Sequence, residues 1–297
     1  MNALYTAKNL IKYYPKSNFK LEIPTIQLAA NSITGVVGEN GNGKTTLLNI
    51  IAGNLSIDTG DCSYFAATPK TTKDWERIKD RIGFIPQRIP KWYGTLLQNL
   101  QLKAAVEKIP TETIDDELDT LLDFLGLSKY KHLKWTEIST GYRLRFELAR
   151  ILIGNPELLV LDEPIANLDI NAQQQFLSDL KSIAQKRNVA VILSSQQLHE
   201  IETVADQMIF IKAGKAVFSG NISTLETATN TIEVLVKDEA KLLEFLANTA
   251  FTHEKRGVYY QIQIGETLGN EFLYELIQKG IQINYYRDIS KSTKKLF

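Results

Sequence analysis

Residues Gly38-Glu39-Asn40-Gly41-Asn42-Gly43-Lys44-Thr45-Thr46 decide the fold. They satisfy the phosphate-loop pattern G-x-x-x-x-G-K-S/T, which carries meaning only between a buried strand and a helix. Both flanks are in place. Ile33–Val37 is a short apolar strand, and 45–52 has helical spacing that stops at Gly53. The glycines permit backbone turns closed to other residues, so successive N–H groups face a phosphate. The helix start adds its positive end. Lys44 then reaches the terminal phosphates and the Thr45 hydroxyl ligates Mg²⁺.

Leu158-Leu159-Val160-Leu161-Asp162-Glu163 is an apolar strand that ends in two carboxylates. An unpaired buried charge is costly, so adjacent acids at such a place need a use. At the carboxyl end of a parallel strand they face the ligand crevice. Alone, two acids there read as a solvated loop end. Beside a phosphate loop, Asp162 reads as part of the Mg²⁺ shell and Glu163 as the group that polarises the attacking water.

The surrounding pattern is α/β. Residues 1–30 alternate apolar and polar with β-formers and read as antiparallel strands. Residues from about 95 to 135 read as helices, with Leu118, Leu121, Leu122 and Leu125 on one face and Gly126 as a stop. A helix over 139–153, the strand Leu158–Leu161, a helix over 171–187 and a strand over 189–193 follow. Strands alternating with helices imply a largely parallel sheet covered on both faces. Ser223, Thr224, Thr227, Thr229, Asn230 and Thr231 mark a seam, after which the pattern restarts. Its order, strand-helix-strand-strand-helix-strand, is the ferredoxin-like βαββαβ arrangement.

The bulk numbers narrow the classes. The chain has 297 residues, enough for one large and one small domain. Lys+Arg and Asp+Glu are both 34, so no global charge draws it to nucleic acid or membrane, and no nucleic-acid partner is expected. Lys291, Lys294 and Lys295 read as a solvated tail, with a membrane-surface contact as the rival. The single cysteine, Cys62, has no disulfide partner and reads as inert in a reducing compartment. No stretch approaches the ~18 apolar residues that span a bilayer, and the start lacks the apolar core of a signal peptide.

Four further motifs fall in one order with these, and together residues 1 to about 225 resemble the nucleotide-binding domain of the ATP-binding-cassette (ABC) family. Tyr14, in Lys12-Tyr13-Tyr14-Pro15, resembles the family's adenine-stacking aromatic. Gln87, in Gly83-Phe84-Ile85-Pro86-Gln87, resembles the glutamine that contacts Mg²⁺ and water. Ile138-Ser139-Thr140-Gly141-Tyr142-Arg143 resembles the family signature, and Ala166-Asn167-Leu168-Asp169 the loop that crosses between paired domains. Ser139 is also a good N-cap for the helix that follows, and a plain capped helix is the rival reading.

Two departures stand out. Thr140 and Tyr142 replace a glycine and the glutamine of the usual signature. Gln196, in Leu193-Ser194-Ser195-Gln196-Gln197-Leu198-His199, stands where the family has its γ-phosphate histidine. His199 lies three residues on, where it reads as a surface or salt-bridging residue.

The resemblance implies a phosphate-loop ATPase core over 1–225, with an antiparallel β subdomain, a helical subdomain spanning about 92–155, and an accessory α/β domain over 231–297. It implies ATP and Mg²⁺ as ligands, with Gly38, Glu39, Asn40, Gly41, Asn42, Gly43, Lys44, Thr45 and Thr46 on the phosphates. A second nucleotide-binding domain, identical or not, would add its Ser139, Gly141 and Asp169. The transporter reading adds a separate transmembrane permease, places the chain peripherally on the cytoplasmic face of the cell membrane, and is closest to bacterial exporters. Two rivals stand beside it: a soluble cassette ATPase acting on DNA or ribosomes, and a weakly hydrolysing regulatory module, which Gln196 and Thr140 keep open.

Overall fold

The computed structural model describes residues 3–222, 230–265, 267 and 269–289, apart from the side chains of Thr111, Thr113 and His199. The lysine tail, most of the seam and the side chain of His199 therefore lie outside the described residues. Contacts divide the chain into two compact units, Met1–Gly220 and Asn221–Phe297.

In the first unit, the strands are β1 (Ala3–Tyr14), β2 (Phe19–Ala29), β3 (Ile33–Val37), β4 (Thr59–Tyr64), β5 (Ile82–Ile85), β6 (Leu158–Leu161), β7 (Ala190–Ser195), β8 (Gln207–Lys212) and β9 (Lys215–Asn221). The helices are α1 (Lys44–Ile51), α2 (Thr72–Lys79), α3 (Leu96–Val106), α4 (Thr111–Phe124), α5 (Thr140–Leu152), α6 (Ile170–Arg187) and α7 (Leu198–Glu202). The strands form one sheet in the order β4-β1-β2-β9-β8-β3-β7-β6-β5. β4, β1 and β2 pair antiparallel, as expected of the N-terminal segment. From β8 to β5 every pair is parallel.

The parallel strands are short and apolar because both faces are covered; every residue of β3, β6 and β7 is buried. Packing is close enough to require glycine at Gly83, where an added Cβ would lie 2.0 Å from the Ile151 side chain of α5. That contact seats the helix carrying the signature directly on β5. Two short elements with few apolar residues went unread in the sequence. β4 is an edge strand whose first three residues are exposed, and α2 is a mostly polar helix, started by a reciprocal Thr71–Asp74 capping box, that turns Trp75 and Ile78 to the core.

The second unit runs β10 (Asn230–Val236), α8 (Glu239–Ala247), β11 (Thr252–Arg256), β12 (Tyr259–Gly265), α9 (Gly269–Gln278) and β13 (Ile283–Asp288). Its sheet order is β11-β12-β10-β13, antiparallel throughout, which is the ferredoxin-like order. Ile232, Val234, Leu242, Leu246, Ile262, Phe272 and Leu276 form its own buried core.

Candidate functional site

Parallel pairing brings the chemistry to one edge of the sheet. Val37 pairs with Ser195, Leu161 with Leu193, and Ile85 with Leu161, so the carboxyl ends of β3, β7, β6 and β5 stand side by side. The phosphate loop follows β3, Asp162 and Glu163 follow β6, Gln87 follows β5, and Gln196 follows β7. Residues far apart in sequence thus converge because each sits just past the end of a buried strand.

The phosphate loop is fixed by backbone. At Gly38 a Cβ would lie 2.4 Å from the Ile211 carbonyl oxygen, so only glycine lets the loop leave β3 here. Gly43 takes φ 102°, a left-handed value, and is the N-cap of α1. The side-chain oxygen of Asn42 accepts the Ala213 N–H at 3.1 Å, tying the loop to the turn between β8 and β9. Lys44 opens α1 and is 4% exposed; its ammonium donates to the Gly38 carbonyl at 2.8 Å and the Glu39 carbonyl at 3.2 Å.

The same ammonium lies 3.0 Å from Glu163 Oε1, and both side chains are about 95% buried from solvent, at 4% and 5% exposure. Neither charge could be buried there alone. The other carboxylate oxygen, Glu163 Oε2, accepts the Gln87 amide at 2.8 Å and the Gln196 amide at 3.0 Å. Sequence reasoning aimed Gln196 at a γ-phosphate; the structure gives its donor to Glu163. Glu163 itself has φ 45°, a conformation that costs a non-glycine residue on the order of 1–3 kcal/mol and that clusters at functional sites.

Asp162 is 1% exposed. Burial pushes its carboxyl above the usual range, opposed by hydrogen bonds from the Ser194 and Thr45 hydroxyls, while the neighbouring Glu163 charge adds to the rise. Glu163, Ile165, Ala166, Ser194, Ser195, Gln196, Gln197 and Glu200 line a cavity of about 150 Å³ on the β7 side.

The donor set fits a hard, oxygen-preferring cation. The Thr45 hydroxyl is bonded to Asp162, and the Gln87 amide sits one hydrogen bond from Glu163. Among the described residues no group of three His, Cys, Asp or Glu could cage a metal by itself. Mg²⁺ is usually held by one or two carboxylates together with substrate phosphates, a role that Asp162 and the Thr45 hydroxyl fit.

The remaining expected residues form a second group. The Ser139 hydroxyl accepts the Tyr142 N–H at 3.5 Å and caps α5, and it is exposed. Asp169 caps α6 by accepting the Ala172 N–H at 2.9 Å. Gly141 faces Leu168 and Ala172, so the signature and the loop before α6 are neighbours within the chain. Tyr142, a signature departure, has its ring 4.1 Å from that of Tyr130. Among the described residues no hydrogen bond joins Ser139 or Asp169 to the phosphate loop of the same chain. Tyr14 adjoins that loop, its hydroxyl 3.5 Å from that of Thr46.

Two groups escaped the sequence reading. Ser194 bridges the two acids, donating to Asp162 Oδ1 at 2.8 Å and accepting the Glu163 N–H at 2.8 Å. Its signal was a polar residue ending an apolar strand beside a phosphate loop. Glu147 of α5 is 2% exposed, bonded to the Trp92 indole N–H and to Arg150 Nε at 3.2 Å. Burial pushes its carboxyl up, with Arg150 and Trp92 opposing. It fastens the segment after Gln87 to the signature helix, and a lone Glu inside a helix gives no signal of that.

A phosphate loop joined to a strand-borne acid pair at the carboxyl edge of a parallel sheet defines a nucleoside triphosphatase. The family model for ABC transporters matches residues 21–166. An uncharacterized ABC transporter ATP-binding protein of Bacillus subtilis, YdbJ, is 28% identical over 78% of this chain and 74% of its own. The spermidine/putrescine import ATP-binding protein PotA of Borreliella afzelii is 26% identical over 95% of this chain and 77% of its own. Among solved structures, cbiO1 of Clostridium perfringens, part of the ABC transporter complex cbiONQ, superposes with a TM-score of 0.70. It is 21% identical and covers 74% of this chain and 89% of that one, a likeness of fold. By the family model over residues 21–166, and by relatives over most of its length, the chain is similar to the ATP-binding subunits of ABC transporters, a family whose domain hydrolyses ATP. That similarity carries no direction of transport; the name PotA states import, whereas the sequence likeness was to exporters. No helix among the described residues is long and apolar enough to cross a membrane.

Proposed function

We propose that this chain supplies half of two composite ATP sites, pairing head to tail with a second nucleotide-binding domain and driving a permease made of separate chains. The observation that carries the reading is the Glu163 carboxylate, held at the mouth of the phosphate loop by Lys44, Gln87 and Gln196.

The residues divide the chemistry. Tyr14 stacks on adenine, while the loop from Gly38 to Thr46 cradles the phosphates with backbone N–H groups. Thr45, Asp162 and Gln87 hold Mg²⁺, which when bound neutralises charge on the phosphates. A γ-phosphate reaching Lys44 competes with the Glu163 carboxylate for the ammonium. Glu163, released from that ion pair, is then free to accept a hydrogen bond from the attacking water and orient it in line. The exposed Ser139 cap and Gly141 serve the ATP of the facing domain, using the free N–H groups of the α5 start. Asp169 lies at that same contact.

Residues 231–297 act as an accessory domain, and the assembly works on the cytoplasmic face of the cell membrane. Affinity purification of the tagged chain from detergent-solubilised membranes checks the assignment. A polytopic permease is expected to come with it; ribosomes or DNA in its place would support a soluble cassette ATPase.

Gln196 sets the rate. Its amide donates but stays neutral, where histidine could carry partial positive charge near neutral pH. A cationic donor to the γ-phosphate exceeds a neutral donor by about 1 kcal/mol, a rate factor of about five to ten. Gln196→His is expected to hydrolyse ATP about five- to tenfold faster with similar affinity, measured as steady-state phosphate release. An unchanged rate means that charge at this position does not limit turnover.

A further inference from the structure

Strand β7 carries a hydroxyl that the division of roles above leaves unused. Ser194 is fully buried, yet it follows Val191, Ile192 and Leu193, where an ordinary core strand would continue with an apolar side chain. A buried hydroxyl is unfavourable unless its bonds are made, and here both are. Its proton goes to Asp162 Oδ1 at 2.8 Å, and its lone pair accepts the Glu163 N–H at 2.8 Å. One oxygen therefore holds the side chain of one acid and the backbone of the next.

The second bond bears on where Glu163 points. With φ at 45°, Glu163 is in the left-handed region, and its side-chain direction follows from that unusual backbone. The N–H to Ser194 bond is the contact that ties this backbone to the neighbouring strand. The adjacent serine has a different use: Ser195 donates to Glu200 Oε2 at 2.7 Å and accepts the Gln197 N–H at 2.9 Å, so it organises the start of α7. Of these two serines, Ser194 is the one that addresses the acids.

We propose that Ser194 is a positioning residue for ATP hydrolysis: through one hydroxyl it aims Asp162 at the cation and Glu163 at the water. The proposal rests on the roles given above to those two acids. Losing the hydroxyl leaves a buried N–H unpaired and frees the Asp162 carboxylate from one of its donors, while the phosphate loop keeps all its contacts. Cation binding and turnover should therefore suffer and nucleotide affinity without cation should not.

The test compares the full-length wild type with Ser194→Ala, Ser194→Thr and Ser194→Cys, the last keeping nearly the same size with a poor donor. Phosphate release at saturating ATP is measured across a Mg²⁺ titration, with Glu163→Gln as the blank. Nucleotide affinity is measured in EDTA. For Ala and Cys, kcat is expected to fall at least about tenfold and the half-maximal Mg²⁺ concentration to rise at least about fivefold. Affinity in EDTA should stay within about twofold of wild type, and Thr should restore most of the rate. Wild-type kcat and Mg²⁺ dependence in Ser194→Cys would overturn the proposal. So would a loss of EDTA affinity in all three variants, which would mark Ser194 as a fold residue only. If wild type does not exceed the blank, the assigned turnover fails instead. The Mg²⁺ dependence of nucleotide binding then decides for Ser194, a rise in Ser194→Cys supporting it and no rise overturning it.

Discussion

Replacing Lys44 with alanine is expected to weaken ATP binding by at least about a hundredfold. A contact between charged groups contributes about 1.5–3 kcal/mol, and an ammonium placed to meet two terminal phosphates makes more than one. Two such contacts come to roughly 3–6 kcal/mol, and every 1.4 kcal/mol is about tenfold in affinity. The substitution also strips the buried Glu163 carboxylate of the cation 3.0 Å away, so the protein should lose thermal stability as well. Calorimetric titration with ATP, on samples shown to be folded by circular dichroism at the titration temperature, separates the two effects. Affinity equal to wild type would remove the phosphate-loop assignment.

The second large effect belongs to Glu163→Gln. The amide keeps the size of the carboxylate and can still meet Gln87, but it cannot accept a proton or orient water as an anion does. Loss of such a group typically costs a factor of about 10²–10⁴ in rate. Affinity for ATP should not fall. An amide no longer competes as an anion for Lys44, so the γ-phosphate meets the ammonium without displacing a charged partner. Phosphate release near background together with retained ATP binding is the expected pair of results. A variant that still turns over within tenfold of wild type would take the water-orienting role away from Glu163.

How far the sequence showed all this depended on what each element had to do. The phosphate loop was legible because its chemistry needs glycine at fixed places, and the close approach of Gly38 to the Ile211 carbonyl shows why no other residue would serve. β6 was legible because it is apolar to its last residue and then acidic. The second unit was legible because its strands and helices alternate in a short, regular pattern, which the observed sheet order follows. Elements held by capping or by an edge position, α2 and β4, are short and carry few apolar residues, and they stayed hidden.

At the site, the sequence named Gln87, Asp162, Glu163 and Gln196 but not their connections. That Lys44 meets Glu163, and that both glutamine amides turn to the same carboxylate oxygen, depends on the register between strands tens of residues apart. Ser194 stayed hidden for the same reason. A serine reads as neutral in any local window, and only the pairing of β7 beside β6 gives it two acids to hold.

The division of residues into two groups carries the central claim. Lys44, Thr45, Asp162, Glu163, Gln87 and Gln196 form one cluster, while Ser139, Gly141 and Asp169 lie at helix starts with no hydrogen bond to it among the described residues. In the proposed function, a site so divided is completed by a second nucleotide-binding domain. Multi-angle light scattering of full-length Glu163→Gln tests this most directly, because ATP should bind and stay. Addition of ATP and Mg²⁺ is expected to double the measured mass, and ADP to leave it unchanged. A strictly monomeric mass at saturating ATP and high protein concentration would contradict the shared site for identical copies.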